Sequence, residues 1–424
     1  MIDIKFIREN PSLVQKKAKD KNIVINIDHV LHIDTAYREL STEVQNLQSE
    51  KNKYAKERNV EKGKELKELL DKKEHDVSSL KEELNTLLLQ IPNPADDNVP
   101  VGKDESENVV IRKIGEPKMF DFTPKDHIAL SEGVKGIDTV KASEISGARF
   151  NYLMGDIALL EFALIQFAFE VLRDEKILTK LAEKIEPEYS AKQFIPVVPP
   201  VMIRPDVFRK MARIDPEEER YYLQQDDLFL IGSAEHTLGP LHMNQTIVEK
   251  EFPIRYVGFS TAFRREAGSY GKDTKGILRV HQFDKVEMES FTLPENSRKE
   301  QDFIVSLQEY FMQALELPYQ VVSICTGDMG TPDARQFDIE TWIPSQNKYR
   351  ETHTSDLMTD YQSRRLQTKV KRKDGTSEFV HMNDATAFAI GRTIIGIIEN
   401  YQQKDGTILV PKVLQKYLGK EKIS

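Results

Sequence analysis

A single cysteine, Cys325, occurs among 424 residues. One thiol cannot close an internal disulfide, and no Cys/His cluster offers a closed zinc site. Cys325 is expected to be a small buried side chain in a reducing, cytoplasmic setting. No uninterrupted run of about 18 apolar residues occurs, so no membrane-spanning helix is expected. The opening Met1-Ile2-Asp3-Ile4-Lys5 meets charge at once and lacks the apolar core of a secretion signal. There is no GxxxxGK[ST] loop, so any nucleotide phosphate must be held in another way. An excess of positive charge is also missing, since the formal net charge is −9. That total neither marks nor excludes a nucleic-acid partner, because a local basic face can bind phosphate under a negative sum.

What is present is charge and helical periodicity. Charged residues make up 30% of the chain, which suits long solvated helices. The length exceeds a typical single domain, which points to one large core with a smaller appended unit. Near the N-terminus, apolar residues recur at alternating steps of four and three. One series is Ile33, Tyr37, Leu40, Val44 and Leu47, continuing to Lys51 and Tyr54. The other is Leu66, Leu70, Lys73, Val77, Leu80, Leu84, Leu87 and Ile91. This is the seam of a coiled coil. The stretch from Arg58 to Gly63 carries no such stripe and is expected to form the turn of an antiparallel hairpin over about residues 30–91. Lys51, Lys53, Lys56, Arg58, Lys62, Lys64 and Lys67 crowd its tip. Such an arm serves either as a solvated spacer or dimerisation element, or as a grip on a long phosphate-rich partner.

Pro92, Pro94 and Pro100 end the hairpin and make a linker. Beyond about residue 115, helical stretches such as Asp156 to Arg173 alternate with short β-branched runs, Ile195 to Ile203 and Phe252 to Phe259. The expected fold is α+β with a mostly antiparallel sheet flanked by helices. The expected division is residues 1–115 and 116–424. The richest chemistry lies between Phe263 and Glu287. It contains Arg264, Arg265, Glu266, a glycine-rich turn, Arg279, Val280 and Phe283. Arginine forks pair with phosphate oxygens and an aromatic ring can stack on a base. By residue type alone, this is either a nucleotide site or a charged hairpin loop.

Two stretches narrow the choice. Phe263-Arg264-Arg265-Glu266-Ala267-Gly268-Ser269 and His281-Gln282-Phe283-Asp284-Lys285-Val286-Glu287 resemble motif 2 of class II aminoacyl-tRNA synthetases, in the form found in the seryl-tRNA synthetase family. The resemblance extends over nearly the whole chain, including the opening to Pro11 and the helical hairpin. It implies the class II fold with a tRNA-binding arm. It also implies ATP and L-serine as substrates, Mg²⁺ with the phosphates, and tRNA(Ser), or tRNA(Sec) where present, as partner. A homodimer would form through motif 1, which resembles the stretch at Pro199-Pro200.

The implied roles follow residue by residue. Arg264 takes the α-phosphate, Glu266 the adenine side, Arg279 the phosphates and Phe283 the adenine ring. Arg265 and Val280 lie in the same nucleotide-binding stretch. Ser233-Ala234-Glu235 resembles the serine loop, with serine in place of the usual threonine, and Glu287 takes the serine amino group. Glu351, Thr352, His353 and Thr354 resemble the metal and ATP strand, where Glu351 and Thr354 would hold Mg²⁺. Arg392, in a motif 3-like Ala389-Ile390-Gly391-Arg392-Thr393, would reach the γ-phosphate. Thr386 falls on the hydroxyl residue that reads the serine side chain. The main departure is Asp384, which stands where the family usually has asparagine. It is expected to point away from the ammonium site or to meet a basic side chain. A ligase that loads a carrier protein would not need the arm. A non-catalytic relative would not need Arg264, Glu266, Arg279, Glu287, Glu351 and Arg392 together.

Overall fold

The computed structural model of the protein describes residues 1–267 and 276–424. The Gly268-Ser269-Tyr270-Gly271 and Asp273-Thr274-Lys275 portion of the motif 2-like segment lies outside the described residues. The chain forms two compact units, Met1–Ala95 and Asp96–Ser424.

The first unit holds helices α1 (Ile4–Glu9), α2 (Pro11–Asp20), α3 (Ile27–Lys56) and α4 (Val60–Gln90). The long pair forms the expected hairpin. Lys73 bonds Glu43 at 2.7 Å and His29 lies 3.7 Å from Glu83. Partner numbers fall along one helix as they rise along the other, as an antiparallel pair requires. Each seam position is buried or half-buried, and most of the residues between seam positions are exposed. Thirty residues at about 1.5 Å each make α3 about 45 Å long. The turn is shorter than the Arg58–Gly63 stretch expected for it, and Gly63 sits inside α4. The reason is local: Arg58 takes a positive φ of 56° and the Asn59 side chain accepts from the Lys62 amide. That cap starts the helix before the glycine is reached. At the base, Arg8 grips buried Asp34 through two bonds of 2.7 and 2.6 Å.

The second unit is built on an eight-stranded sheet among the described residues. Its strands are β1 (Val109–Ile114), β2 (Ile195–Val197), β3 (Ile254–Phe263), β4 (Gln282–Thr292), β5 (Tyr319–Ser323), β6 (Arg335–Ile343), β7 (Lys348–Thr359) and β8 (His381–Ala389). The order across the sheet is β1-β5-β6-β7-β8-β4-β3-β2. Every neighbouring pair is antiparallel except β2 on β3. Because β1 pairs with β5, residues 96–115 belong to this unit, and the division expected after residue 115 moves to 95/96. The run Ile195–Ile203 holds two strands, β2 and a separate Met202–Ile203, with Pro199-Pro200 between them, since proline cannot donate to a ladder.

Helices α5 (Gly155–Val171), α6 (Ser297–Ala314) and α7 (Ile390–Asn400) supply much of the core, with Leu164, Phe167, Phe311, Ile394 and Ile398 packed on Val286, Met288 and Phe388 of the sheet. Two glutamines of α6 tie strand backbones together. Gln301 donates to the Arg335 and Ser355 carbonyls, and Gln308 to those of Thr354 and Thr386.

Below the sheet a charge pair is fully buried. Arg255 donates to both oxygens of Glu300 at 2.6 and 2.8 Å, and Tyr189 and Ser290 donate to the same carboxylate. Removing one partner leaves an uncompensated buried charge. Glu300→Leu is therefore expected to cost about 3–5 kcal/mol, read as a lowered urea midpoint. A loss under about 1 kcal/mol would contradict the burial of the pair.

Candidate active site

The sheet alternates apolar and polar faces, and on one face the register assembles a polar floor. Glu289 pairs with Asp384, Asp384 with Asp356, and Asp356 with Gln336 across β4, β8, β7 and β6. In the next row Glu287 pairs with Thr386, and Thr354 with Asp338. Irregularities in the register fall beside this floor, between Val286 and Glu287 and between Ile339 and Glu340. Bulges of this kind re-aim side chains. A cavity of about 310 Å³ opens above it.

One end of the cavity is basic and aromatic. The Arg264 guanidinium lies 5.3 Å from the centre of the Phe283 ring, and its Nε donates to the Gly232 carbonyl. Arg279 bonds Glu266 at 2.7 Å. Arg392 reaches both the carboxylate of Glu351, at 3.0 Å, and its backbone carbonyl. Desolvation in the cleft opposes ionisation of Glu351, but Arg392 and Arg264 outweigh it and hold this carboxyl below its ordinary range. Thr354 Oγ1 is 3.5 Å from Glu351 Oε1. Asp338 has a buried oxygen without a hydrogen-bond partner, and burial together with Glu351 pushes its carboxyl well up. Oxygen donors that hold surplus negative charge fit a hard cation such as Mg²⁺.

The other end is acidic and organised by one arginine. Arg213 Nε is 3.0 Å from Glu235, while its Nη2 lies 3.1 Å from Asp333, 2.8 Å from Asp356 and 3.1 Å from Asp384. Burial works against the Arg213 charge, but the four carboxyls outweigh it and raise its pKa well above the usual value. One guanidinium cannot compensate four carboxylates. Glu235, although burial opposes its ionisation, is held well below its usual range by Arg213. Burial and the neighbouring carboxyls push Asp384 and Asp356 well up. Lys285 pairs by charge with Glu287 at 2.5 Å and donates to Ser233 at 3.2 Å. Burial nevertheless pushes Glu287 up to about 7. His236 accepts from the Gly232 amide at 3.1 Å, and burial lowers its pKa to about 4, so the ring is neutral.

Comparison with known proteins agrees with this geometry. Residues 1–95 match the family described as "Seryl-tRNA synthetase N-terminal domain", and residues 219–401 match "tRNA synthetase class II core domain (G, H, P, S and T)". The serine--tRNA ligase of Dictyoglomus thermophilum is 39% identical over 440 residues, covering 99% of this chain and 98% of that protein. The chain belongs to the seryl-tRNA synthetase family. Two solved structures of the family match it throughout. The Pyrococcus horikoshii seryl-tRNA synthetase complexed with ATP has a TM-score of 0.90 at 37% identity, covering 100% of this chain and 99% of that one. The Naegleria fowleri cytoplasmic enzyme in complex with AMP has a TM-score of 0.88 at 31% identity, with the same coverage.

Most residues expected from the synthetase motifs line the cavity: Glu235, Arg264, Glu266, Arg279, Val280, Phe283, Glu287, Glu351, Thr352, Thr354, Thr386 and Arg392. Four do not. His353 points to the opposite face, packs on Phe388 at 5.7 Å and hydrogen-bonds Thr352. Arg265 turns outward over the Tyr221 ring. Ser233 and Ala234 are buried beside the cavity, Ser233 touching it through Lys285. Asp384 meets a basic side chain, as its extra charge requires. Arg213, Arg220, Lys285 and Asp356 were not expected from the motifs. Lys285 lies inside the motif 2-like run and could have been read there. Nothing in the sequence around Arg213 connects it to residues 333, 356 and 384.

The Arg213–Asp333 contact depends on Gly330. A Cβ there would stand 2.2 Å from Asp333 Oδ2 and 3.1 Å from Arg213 Nη1. Gly330→Ala is expected to cost about 1–3 kcal/mol through overpacking against the pair. Denaturant melts of the two proteins check this, and equal midpoints would contradict it.

Proposed function

We infer that the chain activates L-serine with ATP, giving seryl-adenylate and pyrophosphate, and then transfers the seryl group to tRNA(Ser). The observation that carries this reading is one cavity with arginines at one end and uncompensated carboxyls at the other, in a full-length member of the family. A serine carboxylate oxygen attacks the α-phosphorus and pyrophosphate leaves. The 3′-terminal ribose hydroxyl of the tRNA then attacks the acyl carbon of the mixed anhydride and AMP leaves. Neither step needs a covalent enzyme intermediate. Alignment and charge neutralisation supply the acceleration.

In this reading Arg264 neutralises the α-phosphate and Arg392 the γ-phosphate. Phe283 stacks on adenine, Glu266 faces the base and Arg279 lies near the phosphates. Glu351 and Thr354 hold Mg²⁺, which when bound neutralises phosphate charge. Glu235 and Glu287 accept from the serine ammonium and Thr386 bonds the hydroxyl. A site that pairs a hydroxyl discriminates strongly against alanine, whereas threonine is rejected by size. Thr352 remains a nucleotide-side residue. His353 and Arg265 are not assigned a direct contact. The helical arm grips the tRNA backbone with the basic residues at its tip, which are exposed or half-buried. A homodimer through the second unit is supported by apolar side chains left exposed on α5 and around β2, among them Leu159, Phe162, Ile195 and Val198.

Arg264→Ala is expected to cut serine-dependent ATP–pyrophosphate exchange by about two to three orders of magnitude, as loss of a donor preorganised for transition-state charge does. Exchange within a few-fold of wild type would refute the phosphate assignment. Replacing residues 41–74 with a short turn removes the distal arm. This is expected to lower tRNA charging by at least about tenfold, through lost backbone contacts, while exchange stays near wild type. An equal fall in both activities would refute the division of labour.

A further inference from the structure

We infer that Asp384 is the third acceptor of a cage for the substrate's ammonium group, completing a triangle with Glu235 and Glu287, and that Arg213 is the residue that positions it. This rests on the reading of the cavity as a serine-activating site and assigns within it two residues that the family motifs do not.

The first argument is geometric. One oxygen from each of Glu235, Glu287 and Asp384 lies within 4.8 Å of the other two, and all three residues are buried. A primary ammonium has three N–H donors at tetrahedral angles. Hydrogen bonds of about 2.9 Å then place their acceptors about 4.7 Å apart. The three oxygens are thus close enough together for one such group to reach all of them.

The second argument is charge. Glu235, Asp333, Asp356 and Asp384 share Arg213, and Glu287 has Lys285. Glu289 lies in the same row, fully buried, and neither of its oxygens has a hydrogen-bond partner among the described residues. An oxygen of Asp356, which lines the cavity, is also without a partner. The cluster therefore lacks positive charge when empty, and a monocation supplies it. A divalent ion fits less well, because each corner of the triangle already touches Arg213 or Lys285, which repel it.

The third argument is positional. Arg213 pairs with Glu235 by charge at 3.0 Å and donates to Asp384, two of the three corners, and is itself fixed by Asp333 at 3.1 Å. Its carbonyl accepts from Arg220 at 2.7 Å. The usual family asparagine would offer one acceptor oxygen and a competing NH₂ group. Ionised aspartate offers acceptors only, and Arg213 at 3.1 Å together with an incoming ammonium favours that ionised form. Arg213 acts through Asp384 and Glu235, so it is a positioning residue.

Pyrophosphate exchange with L-serine, N-methyl-L-serine and L-alanine tests the cage. Asp384→Ala is expected to raise the serine KM about tenfold or more. It should also narrow the preference for serine over N-methyl-L-serine, because one acceptor is gone and space opens where the methyl must sit. The serine-to-alanine ratio should hold, since both carry the same ammonium, and the ATP KM should not follow the serine KM. Asp384→Asn, which keeps one oxygen, should raise the serine KM less. Arg213→Met should raise it too, and Asp384→Asn in that background should lower it again by removing a carboxylate that lost its cation. A purely structural role for Arg213 would not show that rescue. The cage is overturned if Asp384→Ala leaves the serine to N-methyl-L-serine ratio unchanged. It is equally overturned if the serine-to-alanine ratio collapses instead, which would make Asp384 the hydroxyl acceptor. Should Asp384→Ala not fold, absence of the rescue overturns it. Wild-type protein without serine-dependent exchange would refute the proposed function itself.

Discussion

Side chains alternate across a strand, so a shift of one residue in register turns a whole row to the other face of the sheet. The cavity exists because the registers of β6, β7, β8 and β4 agree over four strands. They line up Gln336, Asp356, Asp384 and Glu289 on one side and send Val286, Met288 and Phe388 to the core on the other. The bulges locally interrupt the hydrogen-bond ladder. Gln301 and Gln308 oppose this from behind, each bonding carbonyls of two different strands. The polar floor and the apolar core are therefore two faces of one constraint.

That floor gathers more carboxyls than a folded interior normally tolerates in ionised form. Buried carboxyls without full compensation cost stability, and several of them lie far above their ordinary pKa. Arg213 reduces the cost without cancelling it. At the opposite end Arg264, Arg279 and Arg392 hold the reverse imbalance, partly quenched by Glu266 and Glu351. A zwitterionic amino acid beside a polyphosphate complements both ends at once. The site stores its specificity as unpaired charge, and binding supplies what each end lacks.

The first unit is made differently. Its helices bury only a thin seam, so most of its surface stays charged and exposed. A seam of this kind gives reach and stiffness rather than a cavity. The two units thus divide by physical form: a charged helical arm for one, an enclosed cavity for the other.

The local patterns were legible before the fold was known. Heptad spacing defined α3 and α4, and the prolines at 92, 94 and 100 set the end of the hairpin. The motif-like runs named Arg264, Phe283, Glu287, Glu351 and Arg392, all of which line the cavity. Each of these signals lies within a few turns or strands of chain. Apart from the hairpin turn, the misplaced features required longer-range information. The hairpin turn closed at Asn59 because a side-chain cap outweighed a glycine. Residues 96–115 joined the second unit because β1 found an edge at β5, far along the chain. His353 left the site because strand alternation turns it opposite Thr352 and Thr354, while the irregularity beside it lets Glu351 face the cavity. Asp384 was visible in the sequence as an unusual charge, but its partner was not. Arg213, Asp333, Asp356 and Asp384 are strangers in sequence, and only the packing of the Arg213 segment against β7, β8 and the turn before β6 brings them within hydrogen-bonding distance. Sequence determined which residue types were available for chemistry, because periodicity and motifs are local. Tertiary structure decided which charges would be buried together, because that depends on long-range register.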